Sequence, residues 1–179
     1  MSDEIRTVQE LLDASFARAS EHLRSIMTPE RRLTAERLVA ELPCPAVLNI
    51  ATVTARGEPR ISAVDGHFLN GHWYFTTAGD SPKSVQLAAR PAISAAFTPR
   101  DGYGVFCHGQ AVALPAGPER TMIAEHFAEV YGQSFEEFGP DISCARIDVD
   151  WLVGFAMTAE EEVEIERARQ ERAARRAER

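Results

Sequence analysis

The sequence predicts a mainly β protein with flanking helices, folded around a closed or partly closed barrel. Its 179 residues suit one ordinary domain, since single domains most often contain roughly 100 to 200 residues. From Ala46 onwards, short runs of β-branched and aromatic residues alternate with turn residues, a pattern typical of consecutive strands. Few helical segments separate these runs, and antiparallel strands avoid exposed edges by closing into a barrel.

The first 42 residues predict two helices that pack on the barrel or on a partner subunit. Apolar residues recur at intervals of three and four over positions 8–26, which indicates one amphipathic helix. Thr28 followed by Pro29 predicts the start of a second helix, because threonine is a good N-cap and proline suits the first helical position. Pro43 ends this helix.

The strands follow, separated by recognisable turns. Asn70-Gly71 is the strongest short hairpin signal, and Gly57 offers a positive φ in the turn between the first two strands. A short helix is expected after the third strand and another over 118–131. The predicted strands are Val47–Val53, Arg60–Val64 continuing towards Phe68, Trp73–Thr77, Ala92–Thr98, Tyr103–Leu114 and Ala145–Met157.

The last segment, 159–179, predicts a charged helical tail outside a single domain formed by residues 1–158. From Glu160 onwards it contains seven Glu and six Arg with few apolar residues. Glu171 and Arg175 would meet at a spacing of four. The segment lacks the sustained apolar heptads of a coiled coil, so we expect a solvated helix.

Composition and charge exclude several classes of partner. The formal net charge is −8, which disfavours a nucleic-acid groove because such a groove needs a basic face. No apolar stretch reaches the ~20 residues of a membrane span. The acidic start, Met1 to Glu4, differs from the basic start of a secretory signal. We therefore expect a cytoplasmic protein that binds neither nucleic acid nor membrane.

The histidines and cysteines do not predict a metal site or a disulfide. None of the five histidines has the H-x-x-x-H or H-E-x-x-H spacing of a zinc site. The three cysteines are odd in number and far apart, which suits reduced, structural thiols. The hydrolase and nucleotide motifs G-x-S-x-G, G-x-G-x-x-G and the Walker loop are also missing from the sequence. The five histidines are His22, His67, His72, His108 and His126, and the three cysteines are Cys44, Cys107 and Cys144.

The segment Ser81-Pro82-Lys83 has the residue types that bind a phosphate. Ser81 is a good N-cap and Pro82 suits the first helical position, so the free N–H groups of a helix start would follow. That end attracts anions through these donors and through the helix dipole. Lys83, the single lysine among nineteen basic residues, would be unfavourable there unless an anion lay beside it.

Two interpretations of this segment stay open. One is a phosphate site, in which Arg60 from a neighbouring strand supplies a second cation. The other is an ordinary capped helix with Lys83 in solvent and with Arg60 paired to a carboxylate.

Residues 47–114 resemble the flavin-binding split-barrel family of pyridoxamine 5′-phosphate oxidase-like proteins. The resemblance lies in Arg60–Val64, in Trp73–Thr77, in the pattern Thr77-x-x-x-Ser81-x-Lys83 followed by Leu87 and Pro91, and in His108–Ala111. It implies a split β-barrel and a homodimer with FMN at the subunit interface. The matching arginine and lysine would bind the FMN phosphate, helped by Ser and Thr, and the strand after the arginine would lie along the flavin ring. The implied cofactor-binding residues are Arg60, Ile61, Ser62, Val64, Thr76, Thr77, Ser81, Lys83 and Gln110.

Departures from the family pattern argue against oxidation of pyridoxamine phosphate. Where the true oxidases have a lysine at the end of the strand that bears the arginine, this chain has Asp65, of opposite charge. The C-terminal Arg-x-His-Asp-Arg signature is missing after Trp151, and a glutamine that contacts the flavin would fall near Gly104.

The resemblance thus implies a flavin-binding oxidoreductase that acts on an unidentified small molecule. FMN would be the redox carrier, and we expect no essential protein acid or base. One alternative is a reductase of the same fold that uses the deazaflavin coenzyme. Another is a flavin- or haem-binding protein without turnover.

Overall fold

A closed antiparallel barrel forms the centre of the computed structural model, which describes residues 2–139 and 141–177. The six strands of the described residues are β1 (Ala46–Val53), β2 (Pro59–Leu69), β3 (His72–Ala78), β4 (Ala92–Arg100), β5 (Tyr103–Ala113) and β6 (Ile142–Ala156). Their order around the barrel is β1-β2-β3-β6-β5-β4, with β4 pairing back to β1. The predicted mainly β barrel is confirmed.

Alternate residues of each strand fill the barrel. Leu48 and Ile50 of β1 are buried and lie opposite Val64 and Ser62 of β2. Trp73 of β3 is also buried in this core. Because side chains alternate across a sheet, the intervening residues of β1 and β2 point away from the core.

The hairpin predicted at Asn70-Gly71 is confirmed. Both residues have positive φ, 52° and 82° respectively. This conformation is the one a two-residue type I′ turn requires, and it joins β2 to β3 directly.

Helices pack on the barrel, and the N-terminal region forms three helices where the sequence predicts two. The helices are α1 (Asp3–Ala17), α2 (Glu21–Ile26), α3 (Ala35–Glu41), α4 (Pro82–Ala89), α5 (Pro118–Tyr131) and α6 (Ala159–Ala177), with a 3-10 turn at Phe135–Phe138. The single helix predicted over 8–26 is wrong, because Ser20 is extended and caps α2 as a new start. The start predicted at Thr28 is also wrong, because Thr34 caps α3.

The late start of α3 has a physical cause in the barrel. The N–H of Leu33 donates to the carbonyl of Gly154 at 2.9 Å, and the N–H of Ala156 donates to the carbonyl of Arg31 at 2.8 Å. The chain makes a single turn after Thr28, and these bonds to β6 stop that turn from continuing as a helix.

The first helix packs on the barrel through a buried hydroxyl. The Ser15 hydroxyl donates to the carbonyl of Leu11 at 2.6 Å and accepts the N–H of Leu152 in β6 at 2.9 Å. Val8 of α1 and Leu38 of α3 are fully buried in the same core as the strands. The N-terminal helices therefore share the core of the barrel.

The charged tail forms a helix whose first turn is attached to the rest of the chain. The hydroxyl of Thr158 accepts the N–H of Glu161, and the carboxylate of Glu161 pairs with Arg31. Further along, Glu171 pairs with Arg167 at 3.3 Å rather than with the predicted Arg175. In the described part of the chain, no helix has both the length and the apolar character that crossing a bilayer requires.

Candidate functional site

The helix α4 lies at one end of the barrel, which we call the α4 end. Antiparallel strands bring the C-terminal ends of β1, β3 and β5 to the same place as the N-terminal ends of β2, β4 and β6. The Thr52 hydroxyl donates to Oε1 of Gln86 in α4 at 2.5 Å. Nε of Arg90 donates to the carbonyl of Val53 at 3.1 Å. These bonds attach α4 to the end of β1.

The helix start predicted at Ser81-Pro82 is confirmed. The Ser81 hydroxyl accepts the N–H of Ser84 at 3.3 Å, and Pro82 lies in the first turn. Oγ1 of Thr77, at the end of β3, lies 3.2 Å from Oγ of Ser81. Oγ of Ser84 lies 3.1 Å from Oγ of Ser81. Three hydroxyls therefore gather at the start of α4, where the N–H of Lys83 is the backbone donor that Ser81 does not accept.

Lys83 lies in this first turn and is partly buried. The first turn of α4 carries no acidic residue. The side chain of Lys83 forms no ion pair with any other described residue. A cation beside the positive end of a helix dipole is unfavourable in isolation. A bound anion would remove this repulsion, because the lysine charge and the helix dipole would both stabilise it.

Strand register brings Arg60 to the same end. Arg60 lies opposite Thr52, the residue that is hydrogen-bonded to α4. Its guanidinium pairs with Glu58 at 2.9 Å while about half of the side chain, 54%, stays exposed. Such exposed pairs contribute only ~0 to 1 kcal/mol, so this one would not keep Arg60 from a phosphate.

The other candidates on β2 point to different sides of the sheet. Ile61 is 76% exposed on the outer face. Val64 is buried in the barrel core, and Ser62, of the same parity, lies on the inner face with it. One flat ring therefore cannot contact the side chains of both Ile61 and Val64.

Thr76 and Gln110 lie on elements that reach the α4 end. Thr76 precedes Thr77, and its side chain points to the opposite face because successive strand residues alternate. Gln110 is exposed and lies opposite Ala92, the first residue of β4. The structure thus brings Thr77, Ser81 and Lys83 together at the α4 end. The remaining candidates lie on β2, β3 and β5, at that end or further along these strands.

A cavity of about 350 Å³ adjoins these hydroxyls. Most of its walls are small side chains, which leave space for a ligand between α4 and the strands. Its volume falls in the range of small-molecule sites. The lining residues are Phe75, Thr77, Gly79, Ser84, Leu87, Ala88, Pro91, Ala111, Ala113, Ser143 and Ala145.

Sequence reasoning missed a second group of polar residues, Cys44, His67 and His126. Their ligand atoms lie within 4.8 Å of one another on the outer face of β2. Burial, and to a smaller extent the nearby His126, lower the pKa of His67 to about 4, while Asp65 acts in the opposite direction. Partial burial raises the pKa of the Cys44 thiol. No spacing rule joins these residues, because they come from three separate segments.

Comparison with known proteins places the chain in a family. A family model described as pyridoxamine 5′-phosphate oxidase matches residues 34–153. The pyridoxine/pyridoxamine 5′-phosphate oxidase of Alcanivorax borkumensis is 39% identical over 66 residues, which cover 36% of this chain and 31% of that protein. The match thus spans about a third of the length of this curated relative.

Solved structures share the barrel. A FAD-binding protein from Mesorhizobium loti superposes with a TM-score of 0.57 at 18% identity, covering 72% of this chain and 98% of that protein. An F420 reductase superposes with a TM-score of 0.51 at 17% identity, covering 63% of this chain and 93% of that protein. At these identities the likeness shows the fold, which is the split barrel expected from the sequence. The family match covers well over half of the residues and agrees with this fold, so the chain belongs to the pyridoxamine 5′-phosphate oxidase family.

Proposed function

We propose that this protein is a cytoplasmic flavin-binding oxidoreductase that holds FMN at the α4 end and acts on a small molecule. The observation that carries the proposal is Lys83, without an acidic partner in its turn, beside the capped start of α4. A bound flavin supplies the redox chemistry by accepting and returning electrons. The protein supplies binding, orientation and electrostatics.

The residues at the α4 end suit a phosphate. Lys83 offers a positive charge and its backbone N–H, since Pro82 has no N–H and the next two N–H groups of α4 donate to Ser81. The hydroxyls of Thr77 and Ser81, which lie 3.2 Å apart, can turn their protons towards an anion. Arg60 would add a second cation from β2.

The cavity beside these residues would position a ligand rather than transfer protons. Its lining carries no carboxylate, imidazole, thiol or amine. Hydroxyls from Thr77, Ser84 and Ser143 are its polar side chains, and its other walls are apolar or glycine. This composition supports a role in orienting the ligand and excluding water, without an essential protein acid or base.

Asp65 supports a substrate other than pyridoxamine phosphate. This carboxylate accepts a hydrogen bond from the Tyr131 hydroxyl at 3.2 Å, five residues along β2 from Arg60. It would repel a phosphate group where the true oxidases have a lysine. This charge argues against pyridoxamine phosphate as the substrate.

The same donors could hold the phosphate of the deazaflavin coenzyme, which is the second candidate. The fold shared with an F420 reductase favours it. Absorption of the purified protein distinguishes the two, because oxidised FMN absorbs near ~450 nm and deazaflavin at shorter wavelength. We expect the band of FMN and its reduction by an added donor such as NADPH. A bound flavin that no donor reduces would instead support a binding protein without turnover.

Replacing Arg60 with lysine is expected to weaken FMN binding several-fold. Lysine keeps the charge but offers a point donor where arginine offers a planar fork. Titration of the protein with FMN measures the change. Arg56→Lys is the matched control, because Arg56 pairs with the same Glu58 at 3.3 Å and is 80% exposed. Equal FMN affinities for the parent and the Arg60 variant would remove Arg60 from the site.

We expect the protein to be a homodimer. Ile61 and Val47 are 76% and 63% exposed on the outer face that β1 and β2 share, so a partner would bury apolar surface there. Light scattering at micromolar protein should give about twice the 19.8 kDa chain mass. Ile61→Asp should shift the protein towards monomer, whereas Val163→Asp on the tail should leave the mass unchanged. A parent monomer that binds FMN stoichiometrically would contradict this prediction.

A further inference from the structure

Three potential metal ligands converge where α5 covers the outer face of β2. Cys44 comes from the segment between α3 and β1, His67 from β2, and His126 from α5. Sγ of Cys44 lies 3.4 Å from Nδ1 of His67 and 3.4 Å from Nε2 of His126. The two ring nitrogens are 3.0 Å apart. The three atoms therefore form a compact triangle.

The edges of this triangle are close to those of a tetrahedral zinc site. With Zn–S of about 2.3 Å and Zn–N of about 2.0 to 2.1 Å, a tetrahedral site has S···N edges of about 3.6 Å and N···N edges of about 3.3 Å. The observed distances of 3.4 Å and 3.0 Å are a few tenths of an ångström shorter. Small side-chain movements would thus admit the ion.

Residues behind His67 orient its ring in the way that a metal ligand needs. Nε2 of His67 lies 3.1 Å from the Tyr131 hydroxyl, which donates its own proton to Asp65 at 3.2 Å. The hydroxyl oxygen therefore accepts the proton on Nε2. This tautomer leaves the lone pair of Nδ1 directed at Cys44 and His126. Metal-binding histidines usually have such a second partner, often linked to a carboxylate.

We propose that Cys44, His67 and His126 form a Zn²⁺ site with a fourth coordination position open to water or to an added ligand. One thiolate and two imidazoles are ligands that zinc prefers, whereas Ca²⁺ and Mg²⁺ prefer oxygen. Because Cys44 is exposed, solvent reaches the site. Each ligand loses its proton or offers a lone pair on binding, so the ion replaces the hydrogen bonds that now link the three side chains.

The site would attach α5 and the segment before β1 to the barrel. It lies apart from the proposed phosphate site, since His67 is seven residues beyond Arg60 along β2, about 23 Å at 3.3 Å per residue. Zinc would therefore stabilise the fold without contact with the flavin phosphate. Zinc binding can be measured whether or not FMN is bound.

The test is a titration of the chelator-treated full chain with Zn²⁺ in competition with a chromophoric chelator. We expect one Zn²⁺ per chain and a higher midpoint of thermal unfolding in its presence. Co²⁺ in place of Zn²⁺ should give a thiolate-to-metal charge-transfer band in the near ultraviolet. Cys44→Ser should abolish that band and weaken zinc binding at least about 100-fold, more than the loss of an outer partner costs.

Two further variants separate ligands from surface histidines. His126→Gln should weaken zinc binding while the thiolate band of the cobalt form remains. His22→Gln, at an exposed histidine outside the cluster, should change neither property. Both variants of the cluster change side chains that are not fully buried, and unfolding curves without metal check that they fold. If Cys44→Ser binds zinc as tightly as the parent, or if the folded parent binds none, the cluster is a hydrogen-bonded network and the proposal is wrong.

Tyr131 is a positioning residue in this proposal. Tyr131→Phe removes the acceptor for the Nε2 proton of His67 and should lower zinc affinity by roughly 10- to 100-fold. The cobalt band should remain, because the thiolate is untouched. A purely structural role for Tyr131 would lower stability without changing zinc affinity.

Discussion

Lys83→Ala is expected to weaken FMN binding by about 1.5 to 3 kcal/mol, the range for hydrogen bonds that involve a charged group. This energy corresponds to roughly a 10- to 150-fold higher Kd. The reason is local, because Lys83 lies in the first turn of α4 and that turn offers no acidic partner in place of a phosphate. Removing the side chain takes away the charge but leaves the backbone N–H at position 83 and the hydroxyls of Thr77 and Ser81, so binding should weaken rather than disappear.

Quenching of flavin fluorescence during a titration measures this change. Stability without cofactor should barely alter, since Lys83 makes no ion pair within the described residues. Arg167→Ala is the control, because it removes an 81% exposed cation from the tail, far along the chain from α4. Should the Lys83 variant bind FMN as tightly as the parent, and bind no other coenzyme either, the phosphate would not lie at the start of α4.

The barrel could be predicted from the sequence because its signals are local. Alternation within β1 and β2 and the Asn70-Gly71 turn each need only neighbouring residues. The N-terminal region was harder to predict because its apolar spacing continues across the break between Ala17, where α1 ends, and Ser20, which caps α2. Thr28-Pro29 is a valid helix start by local rules. The chain does make one turn there, and hydrogen bonds to the distant β6 stop it from continuing as a helix.

The residues at the α4 end could be predicted from local signals, whereas the cluster of Cys44, His67 and His126 depends on contacts between distant segments. Ser81, Pro82 and Lys83 are consecutive, so their chemistry can be derived from helix capping alone. Cys44 and His126 are brought together only when the barrel closes and α5 packs on β2. A single sequence carries no signal for such a contact, and composition favoured structural roles for these residues.

Gly109→Ala is expected to lower the free energy of unfolding by about 3 kcal/mol, at the upper end of the usual cost of overpacking. Gly109 lies in β5 beside an irregularity in the pairing with β6, where the register shifts after His108. A Cβ at this position would lie 2.1 Å from the carbonyl oxygen of Asp148 and 3.1 Å from Cα of Val149. Both are backbone atoms, so no side chain can turn away, and the two strands would have to separate locally.

Denaturant unfolding of both variants tests this expectation, with Gly117→Ala as the matched control. Gly117 caps α5 in an extended conformation with φ of 161°, and a Cβ there would have nothing within 4 Å. The same added methyl group should therefore cost less than about 1 kcal/mol, mainly because alanine is a poorer N-cap than glycine. If the two variants unfold at the same denaturant concentration, β5 and β6 do not approach as closely at Gly109 as the register implies. Because Gln110 follows Gly109 directly, a local separation should also weaken FMN binding if Gln110 contacts the cofactor.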